Sequence, residues 1–252
     1  MISSLRECFR SKNIHIGMDE AFDLGRGHYL TKHGHVPHQE LMVEHLNKVN
    51  EIAKKYDFKP MIWDDMFLRC GAPDGGYYDL DIVITPEIAN NIPEEVSLVY
   101  WDYYNSDEEK YKKLLDIRDD FNNNIIFAGG CWRWSGFAPN YSKTFETTNA
   151  ALNQCKAKGI KEVFATAWGD DGSETPIYSI IVGLILFGEH GYYHKVEKEW
   201  IDERCKSLTG LSMDDFTSLE ELDLVPSVKI PNMEVCNPSK YIAYQDLLLG
   251  VF

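Results

Sequence analysis

His15-Ile16-Gly17-Met18-Asp19-Glu20 decides how the chain is read, because it has the pattern of a short strand that delivers two adjacent carboxylates to its C-terminal end. Ile14, Ile16 and Met18 fall on one parity, and His15, Gly17 and Asp19 on the other. Such a strand turns its apolar side chains toward helices and its small or polar ones toward a barrel interior. Two neighbouring acids in a confined site do not easily both stay ionised, so one tends to keep its proton and serve as a general acid. An isolated Asp-Glu pair also suits a solvated turn, and the surrounding sequence must decide.

Further strand patterns follow at Lys59–Trp63, Ser97–Trp101, Ile125–Gly129 and Glu162–Trp168, with Asn13–Met18 as the first. Helical patterns separate them. In Pro37–Tyr56, Met42, Leu46, Val49, Ala53 and Tyr56 recur at steps of four and three, behind a proline tolerated in a first turn. Asp107–Phe121 and Thr144–Lys158 supply two more, the latter stopped by Gly159. Ile177–Phe187 is apolar almost all round and is expected to be a buried helix. Strands separated by helices pair in parallel through right-handed crossovers, in either a doubly wound sheet or a (β/α)8 barrel. No Gly-rich phosphate fingerprint follows the first strand, and each strand ends in polar and aromatic residues, as barrel strands do at a catalytic rim. The barrel is favoured.

Only about five strand–helix units are visible, against the eight of a complete barrel. Leu5–Arg10 has the look of a helix that ends an earlier unit. The expected fold is therefore α/β: residues 1–190 as the C-terminal part of a (β/α)8 barrel whose first three units are missing. Residues 191–252 are expected to form a helical and irregular extension, itself truncated, with a mixed helix at Val196–Ser207 and an irregular Leu224–Asn237.

Composition narrows the partners. The 252 residues carry 25 Lys and Arg against 40 Asp and Glu, a net charge of −15, which disfavours nucleic acid and anionic membranes. A neutral ligand suits that balance. The hydrophobic share of 44% and charged share of 26% are those of a globular protein with a real core. Cys8, Cys70, Cys131, Cys155, Cys205 and Cys236 show no C-x-x-C pair or metal spacing, and read as reduced thiols in a cytoplasmic protein. No apolar run reaches the roughly 18 residues of a membrane span, and residues 1–12 lack a signal-peptide core.

Aromatic and acidic residues cluster at the strand ends. Trp63, Trp101, Trp132, Trp134 and Trp168 are five of the six tryptophans, and together they would present flat apolar walls to the C–H faces of a pyranose. Trp200 reads as structural. Asp64 and Asp65, Asp102, and Asp170, Asp171 and Glu174 follow these indoles as candidate acceptors for sugar hydroxyls. The alternatives are a cap or loop role for Asp64 and Asp65, and a helix cap at Ser173. Calcium lacks its Asp-x-Asp-x-Asp-Gly spacing, and His28, His33, His35 and His38 complete no zinc motif, so neither metal nor cofactor is expected. His15 is read as a supporting partner beneath Asp19.

These stretches together resemble glycoside hydrolase family 20, the β-N-acetylhexosaminidases. The resemblance rests on His15–Glu20, Met61–Phe67, Tyr100–Tyr104, Phe127–Phe137, Ala167–Gly172 and Asn237–Tyr241, in the family's order. It points to the branch related to hexosaminidase D and streptococcal exo-glucosaminidases. It implies an exo-acting, retaining enzyme in which the substrate's 2-acetamido oxygen is the nucleophile. By match to the motif, Glu20 is the general acid and base, Asp19 orients the acetamido group, and Tyr103 polarises its oxygen, with Tyr104 as second choice. Trp63, Trp101 and Trp168 wall the sugar, joined by Trp132, Trp134, His15 and Asp65. Asp170 and Glu174 hold terminal hydroxyls. The family also uses an Arg and polar groups from its first three strands. Without them the chain alone is expected to hydrolyse little, and to be insoluble, to dimerise through open sheet edges, or to depend on a second polypeptide that supplies the missing barrel half. Two other readings are a non-catalytic sugar-binding fragment, and a glycosidase with Asp65 or Asp102 as carboxylate nucleophile about 5 Å from the acid.

Overall fold

The computed structural model describes residues 1–224 and 238–247, except the side chains of residues 171, 238, 241 and 245–247. The expected irregular stretch Leu224–Asn237 lies outside the described residues apart from Leu224, and so does Cys236. By packing, the chain forms two units: Met1–Trp101 with Lys112–Phe127, and Asp102–Tyr111 with Ala128–Phe252.

The first unit opens with α1 (Ile2–Cys8), β1 (Asn13–His15), α2 (Gly27–His33), α3 (His38–Lys55) and β2 (Lys59–Trp63). It continues through α4 (Asp65–Gly71), α5 (Pro86–Ala89) and β3 (Ser97–Trp101). α3 buries Leu41 beside a stripe of Met42, Leu46, Asn50 and Ala53 at steps of four, four and three. Met42 and Leu46 join Ile62 of β2, Leu98 of β3, Met66, Phe67 and Leu68 of α4, and Ile82, Ile84, Ile88 and Ile92 in one core. Leu46, Ile62, Leu68 and Leu98 are wholly buried, each contributing about 1.5–3 kcal/mol of hydrophobic stabilisation. α6 (Glu108–Ile117) then leads to β4 (Ile125–Gly130), where the chain passes into the second unit.

The second unit holds α7 (Tyr141–Lys158), β5 (Val163–Thr166), α8 (Ile181–Tyr192), α9 (Lys198–Thr209), α10 (Met213–Thr217) and α11 (Pro238–Leu247). The Asn140 side chain caps α7 by accepting from Lys143 N at 2.9 Å, and Gly159, at φ 78°, ends it. The core of this unit gathers Tyr141, Val182, Ile185, Leu186, Ile201 and Cys205.

The strands are hydrogen-bonded in the order β1-β2-β3-β4-β5. β1 pairs parallel with β2, and β2 with β3, with Ile14 opposite Pro60 and Ile62 opposite Leu98. Each strand is added beside its predecessor, with no reversal of order of the kind a doubly wound sheet has at its switch point. The chain is therefore an α/β protein with, among the described residues, five strands in barrel order, as expected from the sequence.

Three elements differ from expectation. β1 stops at His15, because Gly17, Met18 and Glu20 take positive φ of 74°, 77° and 45° and break the alternation before Asp19. β5 is Val163–Thr166, so Trp168 lies beyond the strand. Ile177–Phe187 is not a single buried helix. A 3-10 turn at Ile177–Ile180 leads into α8, which runs on to Tyr192 and leaves Leu184 exposed, as Ile177 is before it. Among the described residues, no helix is long and apolar enough to cross a membrane.

Candidate active site

Just past the end of β1, the backbone is arranged unusually. Met18 and Glu20, neither of them glycine, both occupy left-handed conformations on either side of Asp19. Each such residue costs on the order of 1–3 kcal/mol and persists only where its surroundings hold it. Asp65, at the start of α4, supplies part of that hold: Glu20 N donates to Asp65 Oδ2 at 2.9 Å. The other carboxyl oxygen accepts from Trp101 Nε1 at 3.4 Å. The Glu20 carboxylate accepts from Tyr77 OH at 3.2 Å, and the Tyr77 ring lies 5.1 Å from that of Trp101. Glu20, Asp65, Tyr77 and Trp101 thus form one connected group.

Asp19 and Glu20 are themselves exposed rather than confined, contrary to the expectation that crowding would act on the pair. The carboxyl that burial pushes up is Asp65, to about 7, with Asp64 and Asp19 adding repulsion against the hydrogen bonds from Glu20 N and Trp101. Asp65 is 1% exposed. His15 packs its ring 4.4 Å from Trp63 and accepts from Gly17 N through Nδ1 at 3.1 Å. Burial holds its imidazole below the ordinary value, against the pull of Asp19.

Asp64 stands at the N-cap position of α4, but its side chain makes no capping hydrogen bond. Its carboxylate receives Arg118 Nε at 2.6 Å and Nη2 at 3.2 Å, and the guanidinium sits 3.6 Å over the Tyr100 ring. Both partners are 1% exposed, so this is a fully desolvated ion pair under the strand ends. Nothing in the sequence marks Arg118 for that role. Tyr77 is equally hard to find; its only signal is an aromatic pair following Gly75-Gly76 in the loop after α4.

In the second unit, aromatic side chains gather around Tyr103. Its ring lies 5.5 Å from Trp134, 6.4 Å from Trp168 and 5.7 Å from Tyr104. Trp132 stacks on Trp134 at 4.2 Å and donates from Nε1 to Tyr103 O at 2.8 Å. Burial raises the Tyr103 phenol far above its ordinary value, although the side chains of Thr166 and Trp168 are hydrogen-bonded to it. The hydroxyl therefore stays protonated, as a hydrogen-bond donor must. Trp63, Trp101, Trp132 and Trp134 are buried, each packed in the contacts given above. Trp168 alone of the five tryptophans presents an open face, at 36% exposure.

Asp102 departs from a ligand-binding role. It is buried, and its carboxylate closes a turn by accepting from Tyr104 N, Asn105 N and the Asn105 side chain. Ser173, at φ 57°, is the C-terminal cap of the 3-10 turn Asp170–Gly172, its N–H donating to Asp170 O, and its Oγ accepts from Arg133 Nη2 at 2.7 Å. Arg133 also donates to Trp168 O at 2.8 Å and Thr175 O at 2.7 Å, fixing the loop after β5. Asp170 is exposed on that loop. Glu174 is engaged by α11, accepting from Tyr244 OH at 2.9 Å and Lys240 Nζ at 3.2 Å. Among the described residues, no cluster of three or more His, Cys, Asp or Glu is placed to hold a metal. A cavity of about 460 Å³ in the second unit, bordered by Tyr141, Phe145, Lys198, Asp214, Glu220 and Glu221 among others, is lined by none of the sequence-predicted site residues.

Comparison with known proteins gives a match to a family model and likenesses among solved structures. The model of the glycoside hydrolase 20C C-terminal domain matches residues 214–252. Among solved structures, the D437A inactive mutant of a GH20 exo β-N-acetylglucosaminidase from Vibrio harveyi is similar at a TM-score of 0.46 and 13% identity. That likeness covers 86% of this chain and 34% of the other, so the chain spans about a third of that protein's length. No curated protein matches.

Proposed function

We infer that the chain carries the acid/base machinery of a retaining exo-β-N-acetylhexosaminidase acting on terminal β-linked N-acetylglucosamine or N-acetylgalactosamine. The observation that carries this reading is the strained Met18-Asp19-Glu20 turn, pinned by a buried carboxyl and presenting Glu20 beside Tyr77 and Trp101. Backbone strain of this kind collects where a side chain must be aimed. The C-terminal family match and the six family-like stretches support the same reading.

In the first step, the substrate's acetamido oxygen bonds to the anomeric carbon as the glycosidic C–O bond breaks. Glu20 gives its proton to the departing oxygen. Asp19 stabilises the positive charge that develops on the acetamido nitrogen. In the second step, Glu20 takes a proton from water, the water oxygen bonds to the anomeric carbon, and the oxazolinium ring opens. Two displacements at one carbon retain configuration.

A carboxylate nucleophile fits less well. Asp65 is buried with both oxygens engaged and its carboxyl is pushed up to about 7 by that burial, while Asp102 is closed into its own turn. Glu20→Gln separates catalysis from simple sugar binding. Turnover of an N-acetyl-β-glucosaminide should fall by about 10²–10⁴-fold with affinity for N-acetylglucosamine nearly unchanged. Sugar binding by the unaltered protein with no turnover for the substitution to remove would favour the binding fragment instead.

A further inference from the structure

The loop after β5 carries the one rim indole with an open face, and its backbone is not self-supporting. Gly172 and Ser173 take φ of 102° and 57°, and a Cβ on Gly172 would lie 2.6 Å from Glu174 Oε1. The tight turn therefore folds the Glu174 carboxylate back over Gly172. There α11 meets it. Lys240 Nζ and Tyr244 OH, one turn apart on that helix, both donate to the carboxylate, and the Tyr244 ring packs edge-on against Phe137 at 5.5 Å. Burial pushes the Glu174 carboxyl up, but its own backbone N–H, Lys240 and Tyr244 outweigh this and hold it below the ordinary range. The ion pair is mostly shielded, with the Lys240 side chain 13% exposed.

The start of α11 is anchored as well. Buried Asp223 accepts from Ser239 N at 3.0 Å and from the Ser239 hydroxyl through Oδ1, and from Ala138 N at 3.2 Å through Oδ2. One helix thus ties together the loop after β4, through Phe137 directly and Ala138 by way of Asp223, and the loop after β5, through Glu174. Arg133 joins the same two loops from within, with its bonds to Trp168 O, Ser173 Oγ and Thr175 O.

We propose that α11 is a latch that positions the ligand-binding rim: Lys240 and Tyr244 clamp Glu174 and so fix the loop that presents Trp168. Glu174 is then a positioning residue, and the C-terminal segment belongs to the working site rather than being an appendage to it. The consequence for ligand affinity rests on the amino-sugar reading above; the latch itself does not.

The test uses the whole chain, with Lys240→Met/Tyr244→Phe, and Lys240→Arg as the conservative control. Backbone hydrogen exchange at residues 169–175 should rise by about ten- to a hundredfold in the double variant while α3 and β2 stay protected. Lys240→Arg should restore the unaltered rate. Affinity for N-acetylglucosamine should weaken about tenfold, with an unchanged unfolding midpoint for the first unit. Unchanged exchange at residues 169–175 would overturn the latch, and faster exchange with unchanged affinity would overturn its role in positioning the site. If the unaltered protein binds no amino sugar yet the loop loosens as stated, the latch is upheld and the amino-sugar reading fails.

Discussion

Asp65→Asn should flatten the pH dependence of stability. Burial raises the Asp65 carboxyl from 3.8 to about 7, a difference of about three units, or about 4 kcal/mol between its protonated and ionised forms. A carboxyl whose pKa is raised on folding binds its proton more tightly in the native state. Its contribution is fully present below about pH 4 and is lost as pH rises toward and through about 7. Between those limits the unfolded chain has released the proton and the folded chain has not, so stability falls by about 1.4 kcal/mol per pH unit from this group. The Asn carbonyl can still accept from Glu20 N, but one of the two acceptor oxygens is gone, which adds an offset independent of pH. The informative quantity is therefore a slope. Urea unfolding followed by tryptophan fluorescence at half-unit steps from pH 4 to 8 gives it. The difference between the unaltered protein and the Asp65→Asn variant should shrink or invert by about 4 kcal/mol across the window. Parallel profiles, differing by a constant amount, would refute the claim that Asp65 is held protonated by its burial.

Three further outcomes follow from the packing. Arg118→Met leaves Asp64 buried without its partner and should destabilise by about 3–5 kcal/mol in denaturant unfolding, much of it recovered when Asp64→Leu is added. Gly130→Ala would place a Cβ 2.8 Å from Trp134 and 2.9 Å from Tyr103, and should cost about 1–3 kcal/mol with a loss of near-ultraviolet dichroism from the crowded rings. Tyr77→Phe removes the donor to Glu20 Oε1; on the glycosidase reading, turnover should fall about tenfold with the unfolding midpoint little changed.

Where the sequence is legible, local pattern determines structure. β2 and β3 stand where their apolar runs place them, and α7 ends at Gly159 because the left-handed cap needs no Cβ there. The sequence reading makes β1 too long because side-chain parity carries no sign of φ: Met18 and Glu20 look like strand and turn residues, yet both adopt left-handed backbone. That failure falls at the candidate acid, where local rules give way to an arrangement imposed by Asp65 from 45 residues away. The Arg118–Asp64 pair joins residues 54 apart, and Lys240 reaches Glu174 across 66. Such partners are set by topology, and no spacing rule discloses them. Trp132 and Trp134 show the opposite limit, since being near a strand end does not tell a packed indole from an open one.

The central claim is that the 2-acetamido group of the substrate takes part in the reaction at Glu20. Its most direct test is the ratio of hydrolysis rates for two chromogenic substrates that differ only at that carbon, the N-acetyl-β-glucosaminide and the β-glucoside. Cleavage of the acetamido sugar alone, however slow, and its disappearance in Glu20→Gln are what the account expects. Comparable cleavage of both would contradict it, because a glucoside has no carbonyl oxygen with which to attack its own anomeric carbon.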